Sequence, residues 1–187
     1  YGRIGDLEVR LAQSRRDIQR AQRLRYQVFY EEMSATPSMI ASVRRLDQDP
    51  YDSVCDHLLV VDRSRDSNGL AQWPRKEWTE VVGTYRVLRQ ETAQQRLGFY
   101  SESEYSIAPL VARKPRYKFM ELGRSCVMKP YRTKRTVELL WHGLWTYVRE
   151  HGVDVMIGCA SFEGTDPTAH AMALSFLHET ALAPAEW

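Results

Sequence analysis

The segment Tyr117-Lys-Phe-Met-Glu-Leu-Gly-Arg-Ser-Cys-Val-Met128 runs into Lys129-Pro-Tyr-Arg-Thr-Lys-Arg-Thr136, then Val137-Glu-Leu-Leu-Trp-His-Gly-Leu-Trp-Thr-Tyr-Val-Arg149. The first part reads as a long strand. In the last part Val137, Leu140, Trp141, Leu144, Trp145 and Val148 recur every three or four residues, the spacing of one helix face. A helix is predicted over 131–149, with Gly152 as its stop. Residues 153–162, rich in Val, Met, Ile and Cys, predict another strand. A strand, a long helix and a strand make a crossover, so the two strands are expected to pair in parallel.

Toward the N-terminus, residues 7–12 alternate apolar and polar and predict a short strand. Ser14 is placed to cap the next helix, with Asp17 at its third position. Ile18, Ala21, Leu24 and Val28 carry the apolar stripe of that helix to about residue 33. Residues 34–50 read as loop. Residues 57–62 predict a buried strand, 63–79 a polar hairpin loop and 80–90 the returning strand. One helix is predicted near 102–111. Asp166-Pro167 opens a last helix, with Asp as cap, Pro at the first position and Met172, Phe176 and Leu177 on the buried side. The order β-α-β-β-α-β-α-β-α predicts an α/β fold, a mixed sheet with helices on both faces.

The 187 residues are 43% hydrophobic and 27% charged, which excludes a disordered chain, a collagen and a coiled coil. The length suits a single domain spanning 1–187. The start at Tyr1 and the end at Trp187, just after a Pro-containing turn, lead us to expect a domain cut at one or both ends. No apolar run approaches the ~18 residues of a membrane span, and no signal peptide is visible. Cys55, Cys126 and Cys159 are too few and scattered for a disulfide framework or a zinc site. Each lies in or beside an apolar run and is expected to be a buried reduced thiol, which fits a cytoplasmic location.

The net charge is only +2, but it is unevenly spread. Residues 113–135 hold nine basic side chains and one acid, Glu121. Residues 47–56 hold Asp47, Asp49, Asp52 and Asp56 and no base. Opposed local fields of this kind carry more information than the total.

Four groupings are candidates for chemistry. Arg25 and Phe29, four apart, share a helix face, and Arg25 lies at the edge of the apolar stripe, where a charge needs a partner or an anionic ligand. Asp49 and Asp52 put carboxylates on one loop, suited to a cationic substrate; a metal is not expected, because the spacing is not that of a calcium loop. Glu121 and Arg124 flank Gly123 in a strand, where a bulge would re-aim one side chain. A charged pair there is costly unless paired or functional. Lys129, Arg132, Lys134 and Arg135 open the best helix, where the backbone N–H groups and the dipole favour a phosphate. His57 and Asp62 match the H-x4-D spacing of glycerolipid acyltransferases, but on a strand they point to opposite faces.

Taken together, the strand order and the basic loop between a bulged strand and a long helix resemble a GNAT acyltransferase fold. Within it the chain resembles the L-ornithine Nα-acyltransferases of ornithine-lipid synthesis, distant relatives of the acyl-homoserine-lactone synthases. The matching segments are 24–33, 55–62, 82–89, 121–127, 131–136 with 138–141, and 156–162. The resemblance implies a 3-hydroxyacyl donor on acyl carrier protein and the α-amine of ornithine as acceptor, with no further cofactor. It also implies a cytoplasmic protein in reach of the inner membrane's cytoplasmic face. Arg25, Phe29, Asp49, Asp52, Arg86, Glu121 and Arg124 fall on the invariant positions of the lactone-synthase relatives. Val127, Lys129, Arg132, Lys134 and Arg135 fall where the donor arm binds. The GNAT phosphate-loop pattern is met only at Arg132, since Arg135 and Val137 replace its small residues. That departure disfavours tight acetyl-CoA binding and suits a carrier protein.

The implied chemistry is direct amide formation. Glu121 is the expected base, N–H groups near Gly123 hold the thioester oxygen, Asp49 and Asp52 hold cationic groups of ornithine, and Arg25 or Arg86 its carboxylate. Two alternatives stand beside this reading. One is a lactone synthase or another amine acyltransferase, which would accept S-adenosylmethionine or a different amine. The other is a silent GNAT-like module that binds nucleic acid or anionic lipid through 113–135; few aromatic residues there are placed to stack on bases.

Overall fold

The computed structural model describes residues 1–64, 80–162, 164 and 166–187. Among the described residues six strands form one sheet in chain order: β1 (Gly2–Ile4), β2 (Leu7–Leu11), β3 (Asp56–Asp62), β4 (Glu80–Arg89), β5 (Phe119–Val127) and β6 (Val155–Ile157). All neighbours are antiparallel except β5 and β6, which are parallel, as the crossover required. β1 was not foreseen; it is three residues long and returns through Gly5, whose φ of 60° suits glycine. The loop expected at 63–79 lies outside the described residues except at 63 and 64.

Successive residues of β3 point to opposite faces. Leu58 and Val60 enter one core layer with Val9, Val82 and Met120, beneath α5 (Lys134–His151). Leu59 and Val61 enter the other with Val81 and Cys126, beneath α1 (Arg15–Tyr26). Helices therefore cover both faces, as predicted.

α1 is capped by Ser14, whose Oγ accepts from Asp17 N at 3.2 Å. The Asp17 carboxylate bonds Gln13 N and the Arg10 guanidinium in place of a reciprocal box. The helix then widens into a π-helical turn, Gln27–Glu32, and such turns often mark functional sites. Three short helices follow among the described residues, α2 (Met39–Arg44), α3 (Gln90–Gln95) and α4 (Ile107–Arg113). α2 falls in a stretch read as loop, although Ser38 caps it.

α5 starts at Lys134 under a Thr133 cap, three residues later than predicted, and ends at Gly152 with φ of 59°. Its buried face is Thr136, Leu139, Leu140, Gly143, Leu144, Tyr147 and Val148. The face is turned from the predicted one: Val137, Trp141 and Trp145 are exposed, Trp145 by 56%. Gly143 is the cause. A Cβ there would lie 2.5 Å from Val9 Cγ2, so the helix makes its closest approach to the sheet at that glycine and carries the two tryptophans outward. The last helix, α6 (Ala171–Ala181), follows the Asp166 cap as expected, through the turn Pro167–His170. Its predicted buried side is a correction: it buries no residue, and Met172 is 88% exposed. Apolar spacing marks a face that is able to pack without saying that a partner lies against it.

Candidate active site

β5 and β6 pair only where Phe119, Met120 and Glu121 face Val155, Met156 and Ile157. At Gly158 the backbones still nearly touch, because a Cβ there would sit 2.6 Å from the Leu122 carbonyl oxygen. Beyond it the strands diverge. This is why β6 stops at Ile157 although the apolar run continues to Phe162. The divergence opens a cleft of about 1370 Å³. Its walls are residues 121–127 and 156–162, with Val28, Phe29 and Met33 from the π-helical turn and its end, and Tyr100 from the turn Tyr100–Ser103.

The bulge expected at Gly123 lies one residue on. Thr84 pairs with Cys126 and Arg86 with Gly123, so Tyr85 faces both Arg124 and Ser125. Arg124 adopts φ of 50°, a left-handed conformation that a non-glycine residue takes at a cost. A bulge of this kind re-aims a side chain. Arg124 reaches the acidic loop and the Tyr100 ring, 5.4 Å from its centroid.

The candidate charges form one network. Arg25 is fully buried; its Nε lies 2.8 Å from Asp47 Oδ2 and its Nη2 2.8 Å from Asp52 Oδ2. Arg86 Nη1 meets Asp49 Oδ1 at 2.6 Å and Asp52 Oδ1 at 3.1 Å. Gln22 donates to Asp52 as well. Asp49 and Asp52 also cap each other's backbone N–H groups across the turn Pro50–Ser53. Arg124 is the loosest member, 3.7 Å from Asp47 and 3.6 Å from Asp49, with 28% of its side chain exposed.

This geometry divides the expected substrate-binding set by position. Arg25, Asp49 and Asp52 are not among the residues lining the cleft; Arg25 pairs with Asp47 and Asp52, and Asp49 with Arg86. Arg86, Phe29 and Arg124 do line it. Burial pushes the Asp52 carboxyl up, but Arg25, Gln22 and Arg86 more than offset this and hold it below its ordinary value of 3.8. Asp47 belongs to the network and was missed as a site residue, although it opens the acidic run. Tyr30 donates to it at 2.9 Å.

Glu121 lines the cleft but is not paired with Arg124. Its carboxylate accepts from Tyr100 N at 2.6 Å, from Ser101 N at 2.7 Å and from Ser101 Oγ. No sequence signal marked Tyr100 or Ser101, because the contact spans twenty residues and depends on the fold of that turn.

The donor-side residues are dispersed. Val127 and Arg132 line the cleft, while Lys129, Lys134 and Arg135 lie on the exposed surface at the start of α5. Arg132 is engaged already: it bonds Glu32 through both nitrogens and the Val127 carbonyl at 3.0 Å, and it holds the Glu32 carboxyl below its ordinary value. Lys134 sits 3.6 Å from Glu138. Cys126 is buried, Cys55 half-buried and Cys159 exposed, so the expectation of a buried thiol is corrected at Cys159, where the divergence of β6 turns the chain to the cleft.

His57 supports the acidic loop from below, with Nε2 3.1 Å from Asp52 O. Burial holds its pKa below 6.5, opposed by the Asp52 carbonyl and charge. The unfolded chain takes up this proton near 6.5 and the folded one resists it. Stability is therefore expected to fall as pH drops through 6.5. Thermal midpoints across that window should show the loss, and His57→Gln should flatten it. An unchanged slope in the variant contradicts the assignment.

Among the described residues the sheet parts beside its parallel pair, with a bulged strand bordering the gap, and this is the scaffold of an acyl-group transferase. A family model described as "Acetyltransferase (GNAT) domain" matches residues 24–142, and the chain belongs to that family. It is 58% identical over all of its 187 residues to an L-ornithine N(alpha)-acyltransferase of Agrobacterium fabrum (strain C58 / ATCC 33970), covering 61% of that protein. The chain spans about three fifths of the length of the curated relatives it matches. Among solved structures, its fold is similar to FeeM, an N-acyl amino acid synthase from uncultured soil microbes, at 13% identity and a TM-score of 0.54, over 91% of this chain and 77% of that one. It is also similar to the AHL synthase LasI, at 16% identity and a TM-score of 0.51, over 90% and 77%.

Proposed function

We propose that this chain is an N-acyltransferase domain that moves a 3-hydroxyacyl group from acyl carrier protein to the α-amine of L-ornithine, giving lyso-ornithine lipid. The carrying observation is that one cleft has two kinds of lining. Val28, Met33, Cys126, Val127 and Phe162 suit an acyl chain, while Arg86, Arg124, Glu104 and Glu121 suit an amino acid. The resemblance to L-ornithine N(alpha)-acyltransferases supports ornithine as that amino acid.

In this reading Arg124 takes the acceptor carboxylate, since it faces the cleft and has the longest ion-pair distances of the network. Arg86 supports it from beneath Tyr51 and Tyr100, and Glu104 at the rim takes the second ammonium. The edge of β5 left unpaired by β6 supplies N–H groups to the thioester oxygen as charge develops. Glu121 is the base that frees the amine. The buried network of Arg25, Asp47, Asp49 and Asp52 fixes the positions of Arg86 and Arg124. Peripheral membrane contact belongs to the same proposal: the product is a lipid, and Trp141 and Trp145 are exposed on the outer side of α5. No helix of the described residues is long and apolar enough to cross a membrane.

Release of carrier thiol is the test. Free thiol should appear with an acyl-carrier-protein thioester plus L-ornithine, and not with S-adenosylmethionine in its place. Release with S-adenosylmethionine alone would move the reading to a lactone synthase.

The carrier itself leads to a further prediction. Lys129 and Arg135 are exposed beside the cleft's donor end and outside the Arg132–Glu32 pair. An acidic carrier should be steered by them. Lys129→Glu with Arg135→Glu should raise the apparent donor KM and weaken its dependence on salt. Equal use of free acyl-CoA, untouched by the substitutions, contradicts a carrier donor.

A further inference from the structure

The Glu121 carboxylate, at the cleft wall, is largely engaged by its neighbours. Oε1 already accepts from Ser101 N and Ser101 Oγ, and Oε2 from Tyr100 N. The residue is 4% exposed and Ser101 2% exposed. One hydrogen-bonded line leads from this buried pair into the cleft: Cys159 Sγ donates to Ser101 Oγ at 3.1 Å, and Ser101 Oγ donates to Glu121. Cys159 is exposed and lines the cleft just beyond Gly158, where β6 leaves β5. The other two cysteines are unlike it. Cys126 is buried and Cys55 half-buried, and neither bonds Ser101.

We propose that Cys159 is a catalytic residue, the cleft end of a proton relay that runs through Ser101 to Glu121; this rests on the acyl-transfer reading above. The ammonium of the acceptor passes a proton to the Cys159 sulfur as the Cys159 proton moves to Ser101 Oγ and the Ser101 proton to Glu121. The enzyme then holds a neutral carboxylic acid, with the thiol and the hydroxyl restored. The free amine attacks the thioester carbon, the C–N bond forms and the C–S bond breaks. The second proton leaves the nitrogen and ends on the departing pantetheine sulfur. The first returns from Glu121 along the same line to water. Two protons leave the nitrogen, one is kept by the product thiol and one enters solvent, so the balance closes without an oxidant or reductant.

The thiol suits this place for a geometric reason. A hydrogen-bonding group must stand at this position of the cleft wall and be small enough to leave room for substrate. Serine meets the same need and alanine does not. Because Cys159 is exposed, its replacement should leave the fold intact.

The experiment compares wild type, Cys159→Ala and Cys159→Ser in thiol release with an acyl-carrier-protein thioester and L-ornithine, with melting temperature read on each sample. Cys159→Ala is expected to lose roughly 10²-fold in kcat, the lower end of general acid–base contributions. Its donor KM and melting temperature should stay near wild type. Cys159→Ser should recover most of the rate. A folded Cys159→Ala enzyme at near-wild-type kcat overturns the relay, as does a Cys159→Ser enzyme no faster than the alanine variant. If wild type releases no thiol with ornithine, the reading of function has failed and the relay falls with it; an active wild type matched by alanine sinks the relay alone.

Discussion

Arg25→Ala is expected to remove about 3–5 kcal/mol of folding stability, the cost of breaking a buried ion pair from one side. Arg25 has no exposed surface and bridges Asp47 and Asp52, which are 3% and 5% exposed. Alanine leaves two buried carboxylates facing a cavity the size of a guanidinium. Arg86 cannot move across to both, because it is held by Asp49 and by the rings of Tyr51 and Tyr100. A domain of this size has roughly 5–15 kcal/mol in total, so the variant should sit near its unfolding threshold. Arg25→Lys keeps the charge but lacks the planar fork that spans two acids, and should be intermediate. Denaturant unfolding of both variants reads the result. A fully stable Arg25→Ala protein with a raised ornithine KM would instead put Arg25 in the substrate site.

The second large effect is on turnover. Glu121→Gln should lower the single-turnover rate roughly 10²–10⁴-fold, since the amide keeps the shape and loses the basicity. Stability should fall too. The new NH₂ must face Tyr100 N or Ser101 N, a donor opposite a donor, which costs on the order of 1–3 kcal/mol. Rate and melting temperature on the same sample separate the roles. A variant that melts early yet turns over normally in its folded fraction leaves Glu121 as a structural clasp on the 100–101 turn.

How much was legible beforehand follows from what periodicity can report. β3, β4 and the crossover from β5 through α5 to β6 were readable because burial on a sheet face or helix face repeats in the sequence. The parallel pair then followed from connection length. Of the predicted α5 stripe, Leu140, Leu144 and Val148 do face inward but Val137, Trp141 and Trp145 do not, because a small residue at the closest approach, Gly143, outweighs the pull of two large apolar ones. The short helices α2 and α3 have too few turns to show a period, and the helix expected near 102–111 appears as the turn Tyr100–Ser103 followed by α4.

The site divides the same way. Residue types and clustering pointed to Arg25, Asp49, Asp52, Glu121 and Arg124, and the family resemblance added Arg86; the structure brings all of these but Glu121 into one network with Asp47. Clustering says that charges meet, but not which of them face a ligand. Arg25 and Asp52 were expected to hold substrate groups, and in the structure they pair with each other. Ser101 and Cys159 had no signal, since their partners are set by where the chain turns after β6 and before α4.

The central claim is that this cleft joins an acyl thioester to the α-nitrogen of ornithine. Product analysis by mass spectrometry, after incubation with 3-hydroxyacyl-acyl-carrier-protein and a mixture of free amino acids with S-adenosylmethionine, tests it most directly. The account predicts one new species, acyl-ornithine, with fragments that place the acyl group on the α-nitrogen. An acyl-homoserine lactone, acylation of another amino acid, or no acylated product from folded protein would contradict it.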